Sequence, residues 1–335
     1  MEGSARLHVE DPSCALDPDA LLRRPGARLL VLAPHPDDES LAAAGLIQRA
    51  HSHGVPVSVA FVSDGENNPW PQRALERRAW IGPAQRTAWG ARRRIEADAA
   101  LRILGVDPAG VHRLGWPDGG VTWMLLGDVV PMLESLRAIV AREQPSMLVL
   151  PHIADRHPDH GALHVLVELA LRGVPVSRRP ACFSYLLHGR SQAGGAHRAV
   201  LRLDDAEIER KRRAIAAHAS QMALSRQRFM RFATGAETFV AGLAHDDRAG
   251  AEAVLPWLPP RVLRPWLSLL VVDARGGVRV RVDGKDGGLH WRDGSAAASL
   301  PRPMQSPFYA KLFCQVPSPW VFDGWGWCRF GASPA

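Results

Sequence analysis

The sequence predicts an α/β fold: a mostly parallel sheet flanked by helices, with a small β-rich extension at its C-terminal end. Three observations carry this. Short runs that are apolar throughout alternate with longer amphipathic segments up to about residue 220. Each apolar run stops at a proline or a polar loop, as strands buried on both faces do. From about residue 250 the texture changes to strand–Gly-Gly–strand, with strict alternation in VRVRV.

Taken in order, RLLVLAP (28–34) reads as a buried parallel strand stopped by proline. ESLAAAGLIQRAHSHG (39–54) reads as one helix, with Ala42, Leu46, Ile47 and Ala50 on one side and Gly54 as its stop. VPVSVAFVS (55–63) is a second strand, and DGENNPWPQ a loop of turn formers. ARRRIEADAALRILG (91–105) reads as a helix closed by Gly105, and VHRLGWPDGG as a short strand running into a turn. VVPMLESLRAIVAREQ is a helix, SMLVLP (146–151) a strand, HIADRHPDH a polar loop and GALHVLVELALRG a helix. DDAEIERKRRAIAAHASQM (204–222) is a helix whose Asp204 and Glu207 have the spacing of a capping box. Beyond it, LSLLVVDARGGVRVRVDG predicts a hairpin, and six of the 11 tryptophans lie between Trp257 and Trp327. These tryptophans read as the core or an interface of the small β region rather than a sugar platform.

Composition bounds the rest. A chain of 335 residues suffices for one large domain with an appendage, or for two domains. The apolar fraction of 46% and charged fraction of 22% are ordinary for globular proteins. No stretch approaches the ~20 apolar residues of a membrane span. MEGSARLHVEDPSC lacks a basic segment followed by an apolar core, so no signal peptide is expected and the chain reads as cytoplasmic. Cys14, Cys182, Cys314 and Cys328 lack CxxC spacing, so a metal site must come from histidine and carboxylate. The formal charge of +7 reads as an arginine-rich solvated surface, with no nucleic-acid module beside it. A homo-oligomer is compatible with the sequence.

Two polar clusters, His35–Glu39 and His152–His160, each follow an apolar strand. In parallel sheets ligands bind beyond the carboxyl ends of the strands, which is where both clusters fall. A hydrolytic metal site has three protein ligands and an open position. In HPDD, His35 and Asp38 can converge on one metal while Asp37 holds the attacking water. In HPDH, His157 and His160 are three apart on an emerging helix and share a face. One can complete the metal site and the other can face a substrate. Glu39 reads as a helix-start residue, and His218 as a histidine at the edge of the core, bonded to a backbone carbonyl.

VLAPHPDDE together with ADRHPDH resembles the PIG-L/LmbE-like family of zinc-dependent N-deacetylases of N-acetylglucosaminyl compounds. SDGE (63–66), Arg93 with Glu96, LGWPDGG (114–120) and the K-x-x-x-I-x-x-H-x-S-Q stretch (211–221) resemble further landmarks, in order, over about 28 to 242. The resemblance implies a Rossmann-like deacetylase domain over 1–245, with 246–335 as a packed, Trp-rich β region. It implies Zn2+ held by His35, Asp38 and His160, Asp37 as general base, and His157 as the residue that stabilises the oxyanion. Asp159 is implied to orient a histidine, and Glu66, Arg93 and Asp118 to touch the sugar. Some relatives carry a tyrosine two residues before HPDH; here it is Asp155, expected to orient a histidine or meet substrate hydroxyls. The implied partner is a small acetylated amino sugar or its conjugate. Two other readings share the site: an amidase cleaving a larger acyl group, and a non-catalytic sugar-binding protein.

Overall fold

Strand β1 (Leu29–Ala33) is buried along its whole length, and its side chains alternate between two cores. Leu29, Val31 and Ala33 enter one core; Leu30 and Leu32 enter the other. A continuous aliphatic run does this when helices cover both faces of a sheet. The computed structural model describes residues 17–189, 198–243, 253–255, 259–281, 288–292, 295–298, 300, 303–314 and 325–331. The boundary drawn at 245, the N-terminal segment with Cys14, and Trp257 and Trp320 lie outside the described residues.

β2 (Val57–Phe61), β3 (Val111–Arg113), β4 (Met147–Pro151) and β5 (Ala181–Tyr185) extend the sheet in parallel. β6 (Arg198–Arg202) and β7 (Ala236–Ala241) close one edge antiparallel, giving the order β3-β2-β1-β4-β5-β7-β6. The chain first winds outward from β1 through β2 to β3, then returns to add β4 on β1's other side. The β1–β4 junction is therefore the switch point of a doubly wound sheet, where the loops after both strands open towards each other.

The helices are α1 (Pro18–Leu22), α2 (Asp38–Ala42), α3 (Ala44–Ser52), α4 (Pro69–Glu76), α5 (Pro83–Leu104), α6 (Val121–Met124), α7 (Val130–Glu143), α8 (Pro158–Arg172), α9 (Asp205–Ala217) and α10 (Arg226–Met230). Helices α3, α5 and α9 cover one face through Leu46, Leu101 and Ile215. Helices α7 and α8 cover the other through Leu133, Leu136, Leu163 and Leu166. Among the described residues no helix is long and apolar enough to cross a membrane.

The helix expected over 39–54 is two helices, broken at Ala43 (φ −133°, ψ 12°). The break frees backbone N–H groups, and a distant side chain takes them up. Buried Glu237 on β7 accepts from the N–H groups of Gly45 (2.8 Å) and Leu46 (3.0 Å), and Lys211 on α9 donates to it at 2.6 Å. Helix α5 begins at Pro83, earlier than expected; Gln85 Oε1 accepts from Gly82 N–H (3.1 Å) ahead of that proline. α4 occupies part of the stretch read as loop. The Asp204–Glu207 capping box is formed, with bonds of 2.8 and 2.9 Å. α9 stops at Ala217 rather than at Met222, because His218 leaves the helix to meet buried Glu39.

The C-terminal strands are β8 (Ala253–Leu255), β9 (Leu267–Asp273), β10 (Gly276–Arg281), β11 (Leu289–Arg292), β12 (Ser295–Ala298), β13 (Phe308–Cys314) and β14 (Cys328–Phe330). They form two antiparallel sheets, β10-β9-β13-β14 and β11-β12-β8. The expected β9–β10 hairpin turns at Ala274–Arg275, and its two glycines lie inside β10. A side chain at Gly277 would collide with the Leu125 carbonyl, so that strand position requires close backbone approach. Trp327 is buried in the second core beside Leu270 and Tyr309, while Trp266 is half exposed.

The Lys211–Glu237 pair is 1% exposed on both sides, so Lys211→Met strands a buried carboxylate. The expected cost is about 3–5 kcal/mol in denaturant unfolding. Lys211→Met/Glu237→Gln, which removes the charge, should lose less than the single variant.

Candidate metal centre

Because β1 and β4 are neighbours in register (Leu29 opposite Met147), the loops that follow them stand side by side. The first loop supplies His35 and Asp37 and opens α2 with Asp38. The second supplies Asp155 and His157 and opens α8 with Pro158, Asp159 and His160. Asp38 Oδ2 lies 3.2 Å from His35 Nδ1 and 3.3 Å from His160 Nε2. Three donors thus converge from positions 35, 38 and 160, all buried. The ligand atoms of His35, His157 and His160 also lie within 4.8 Å of one another. Asp38 fits the third position better, since one oxygen reaches both rings while His157 is otherwise engaged. His157 caps α8, its Nδ1 accepting from Asp159 N–H at 3.3 Å. In the neutral ring that leaves the proton on Nε2, so His157 is a donor.

Carboxylates surround His35 and His160 from behind. Asp118 Oδ1 and Asp159 Oδ2 lie 3.2 and 3.4 Å from His35 Nε2, and Asp155 Oδ2 lies 3.3 Å from His160 Nδ1. Asp155 also accepts from the N–H groups of His157 (2.9 Å), Leu187 (3.0 Å) and His188 (3.1 Å). Asp159 accepts from Gly119 (2.7 Å) and Val121 (3.1 Å), tying the 119–121 loop to the centre.

Burial alone would push the His35 and His160 pKa values down, but these carboxylates overcome it. His35 is raised well above its usual range, chiefly by Asp118, and His160 to about 9 by Asp38 and Asp155. For Asp38, burial opposes ionisation, yet His160 and His35 hold its carboxyl far below the usual range. His157 goes the other way: burial, then the charges of His35 and His160, keep it neutral. Without a metal, the centre thus gathers two protons on the imidazoles of His35 and His160. A divalent cation brings the same charge and displaces them. Both ring nitrogens of His160 are buried and lack a hydrogen bond of good geometry among the described residues, which coordination would remedy. The donor set therefore fits a metal.

Asp37 stands beside the donors with a backbone φ of 144°, a region that favours glycine. Two buried groups hold it there. Arg93 donates to Asp37 Oδ2 (3.0 Å), Pro36 O (2.7 Å) and Gly65 O (2.8 Å), and Glu39 Oε2 accepts from Asp37 N–H at 3.0 Å. Burial raises the Asp37 pKa to about 6, against the pull of Arg93 and with the push of Asp38.

Residues 30–171 match the family model described as PIG-L, GlcNAc-PI de-N-acetylase. The chain thus carries a PIG-L (LmbE-like) family domain over that stretch. It is 28% identical over 199 residues to a probable N-acetyl-α-D-glucosaminyl L-malate deacetylase of Bacillus anthracis, spanning 58% of this chain and 81% of that protein. It is 29% identical over 166 residues to a 1D-myo-inositol 2-acetamido-2-deoxy-α-D-glucopyranoside deacetylase of Mycobacteroides abscessus, spanning 43% of this chain and 55% of that one. An N,N′-diacetylchitobiose deacetylase structure from Pyrococcus horikoshii shares the fold, with a TM-score of 0.53 at 20% identity over 69% of this chain and 88% of that one.

Within the PIG-L domain, the structure brings His35, Asp37, Asp38, Asp118, Asp155, His157, Asp159 and His160 into one cluster. Three residues read from the sequence as sugar contacts make other contacts here. Arg93 grips Asp37. Asp118 sits behind His35 and accepts from Asn67 N–H at 2.8 Å. Glu66 Oε1 accepts from Asp118 N–H at 2.9 Å, bracing that turn.

The sequence reading missed Glu39, His218 and His188. Glu39 does lie in the first turn of α2, and it is fully buried; beyond Asp37 it bonds Ser40 Oγ (2.7 Å) and pairs with His218 Nε2 (3.0 Å), where a backbone carbonyl was expected for that histidine. Burial alone would lower the His218 pKa, but Glu39 and Asp37 raise it. His188 lies just past β5, with Nδ1 3.2 Å from Asp155 Oδ1 and its ring centroid 5.0 Å from that of His160. Its signal was a histidine after the apolar run CFSYLL, a strand the sequence reading had not marked.

Glu39→Gln keeps an oxygen for Asp37 N–H but removes the charge facing His218. The expected result is a kcat about 10- to 100-fold lower with KM and metal content unchanged. A wild-type kcat in that variant would dismiss Glu39 as a support for Asp37.

Proposed function

We propose that the protein is a zinc-dependent hydrolase that removes the N-acetyl group from an N-acetylated amino sugar or its conjugate. Metal-dependent N-deacetylation fits the family to which the domain belongs and the deacetylases it resembles. The observation that carries the reading is the convergence of His35 and His160 on one oxygen of Asp38, with the Asp37 carboxylate alongside. His35, Asp38 and His160 are the ligands in this reading.

The chemistry a zinc ion supplies when bound is Lewis acidity towards the amide carbonyl and acidification of water. The chain's own residues do the rest. Asp37 accepts the proton released as water adds to the amide carbon, and a carboxylate tuned near pKa 6 suits that task. His157, neutral and carrying its proton on Nε2, donates to the carbonyl oxygen as negative charge builds there. Asp37 then returns its proton to the departing nitrogen, the C–N bond breaks, and a free amine and acetate leave. Asp155, Asp159 and Asp118 hold the rings of His160 and His35 in place. Glu66, Arg93 and Asp118 meet the sugar in this reading; Glu66 also braces Asp118, and Arg93 also holds Asp37. We read the chain as cytoplasmic; the buried thiol of Cys182 supports that. The same reading keeps the division of the chain near 245 and leaves room for a homo-oligomer.

Asp37→Asn is expected to retain zinc and lose about 100- to 10,000-fold in turnover, read as acetate released from a panel of N-acetyl amino sugars. Full turnover in that variant removes Asp37 from the base role. Dialysis against a chelator should abolish acetate release, and added zinc should restore it. An enzyme indifferent to chelation, or one that cleaves only longer acyl groups, overturns the corresponding part of the reading.

A further inference from the structure

We infer that the C-terminal sheet β10-β9-β13-β14 is a brace for the metal centre, with Trp327 positioning His160 through the adjoining Gly161. The inference rests on the reading of His160 as a metal ligand. The family match ends at residue 171, so this sheet lies wholly outside it.

The sheet reaches the segments behind the centre at three points. At the first, the indole of Trp327 packs on the first turn of α8. A methyl group at Gly161 would sit 2.7 Å from Trp327 Cδ1, 3.0 Å from its Nε1 and 3.3 Å from Ile153 O. Position 161 therefore has no room for any side chain while that ring is in place. Lys311 on β13 lies over the same ring, 5.7 Å from its centroid, and Trp327 is 8% exposed. At the second point, Arg329 Nε on β14 donates to Glu168 Oε1 at 2.9 Å, with both side chains 6% exposed. Glu168 is about two turns along α8 from His160, on the same side of the helix. At the third, Gly277 on β10 lies against the Leu125 carbonyl, and a methyl at Gly276 would meet Gly127 O at 3.3 Å. The segment so held begins with Gly119 and Val121, whose N–H groups bind Asp159, the carboxylate behind His35.

The sheet thus fixes the helix start that carries His160 and the loop that clamps Asp159. A ligand geometry of this kind tolerates displacements of well under 1 Å, so its supporting shell sets metal affinity. Apolar packing at Trp327 and the Arg329–Glu168 pair supply that support along α8.

The test measures zinc affinity by competition with a chromophoric chelator, with kcat, KM and Tm, on full-length protein. Trp327→Ala is expected to weaken zinc binding about 10-fold or more and to lower kcat about 10-fold, with KM within about 2-fold. Trp327→Phe, which keeps a flat ring against Gly161, should recover most of both. Val280→Ala, on the other side of the same sheet in a separate core with Leu312 and Phe330, should lower Tm without moving zinc affinity. Should Trp327→Ala not fold, Gly161→Ala gives the second reading. Its methyl meets the indole, so zinc affinity falls, and pairing it with Trp327→Phe restores part of the loss. Wild-type zinc affinity and kcat in Trp327→Ala or Gly161→Ala overturns the brace. So does an equal loss of zinc affinity in Val280→Ala at matched Tm. A wild-type protein that binds no zinc overturns the ligand reading, and the brace with it.

Discussion

Everything at the centre depends on the parallel pairing of β1 with β4. The two strands are far apart in sequence, and each ends in a loop too polar to be buried alone. Side by side at the switch point of the sheet, the loops bury each other, and the histidines of one meet the carboxylates of the other. The pairing is secured by residues with no part in the chemistry. Leu30, Leu32, Leu148 and Leu150 fill one core and Leu29, Val31 and Val149 the other, each at most 2% exposed. Burying each such side chain contributes about 1.5–3 kcal/mol, so the aliphatic runs sustain the polar cluster that follows them.

That cluster is electrostatically unbalanced by design of its residues. Asp38, Asp118, Asp155 and Asp159 crowd two imidazoles, and the imbalance shows as histidines held protonated despite complete burial. Such a site is costly without a cation and well matched to one. Asp37 is kept apart from this pull. Its strained backbone, Arg93 on its carboxylate and Glu39 on its N–H hold it beside His35, Asp38 and His160. Adjacent aspartates in HPDD therefore differ in kind: one is drawn well below its usual pKa by histidines, the other raised by burial. Behind α8, the C-terminal sheet adds a second layer of support whose contacts, Trp327 on Gly161 and Arg329 on Glu168, join the appended region to the helix that carries His160.

The strands β1, β2 and β4, helix α7, the capped start of α9 and the β9–β10 hairpin were legible in the sequence, because local pattern alone specifies them: apolar runs, period 3.6, a capping box, alternation. The clustering of histidine and aspartate at two strand ends was legible for the same reason, since HPDD and HPDH each end an apolar run. The break at Ala43, the early end of α9 and the turn at Ala274–Arg275 were not. Each answers to a partner remote in sequence: Glu237 for the freed N–H groups of α3, Glu39 for His218, the Leu125 carbonyl for Gly277. By itself the sequence determined which residues are available for chemistry and which strand ends display them. Only the tertiary structure decided that Arg93 and Asp118 face Asp37 and His35, that Glu39 is buried beneath Asp37, and that Trp327 lies against Gly161. The physical reason is that propensity and pattern act over a few neighbouring residues, whereas hydrogen bonds and close packing in the interior join whatever the sheet order brings together.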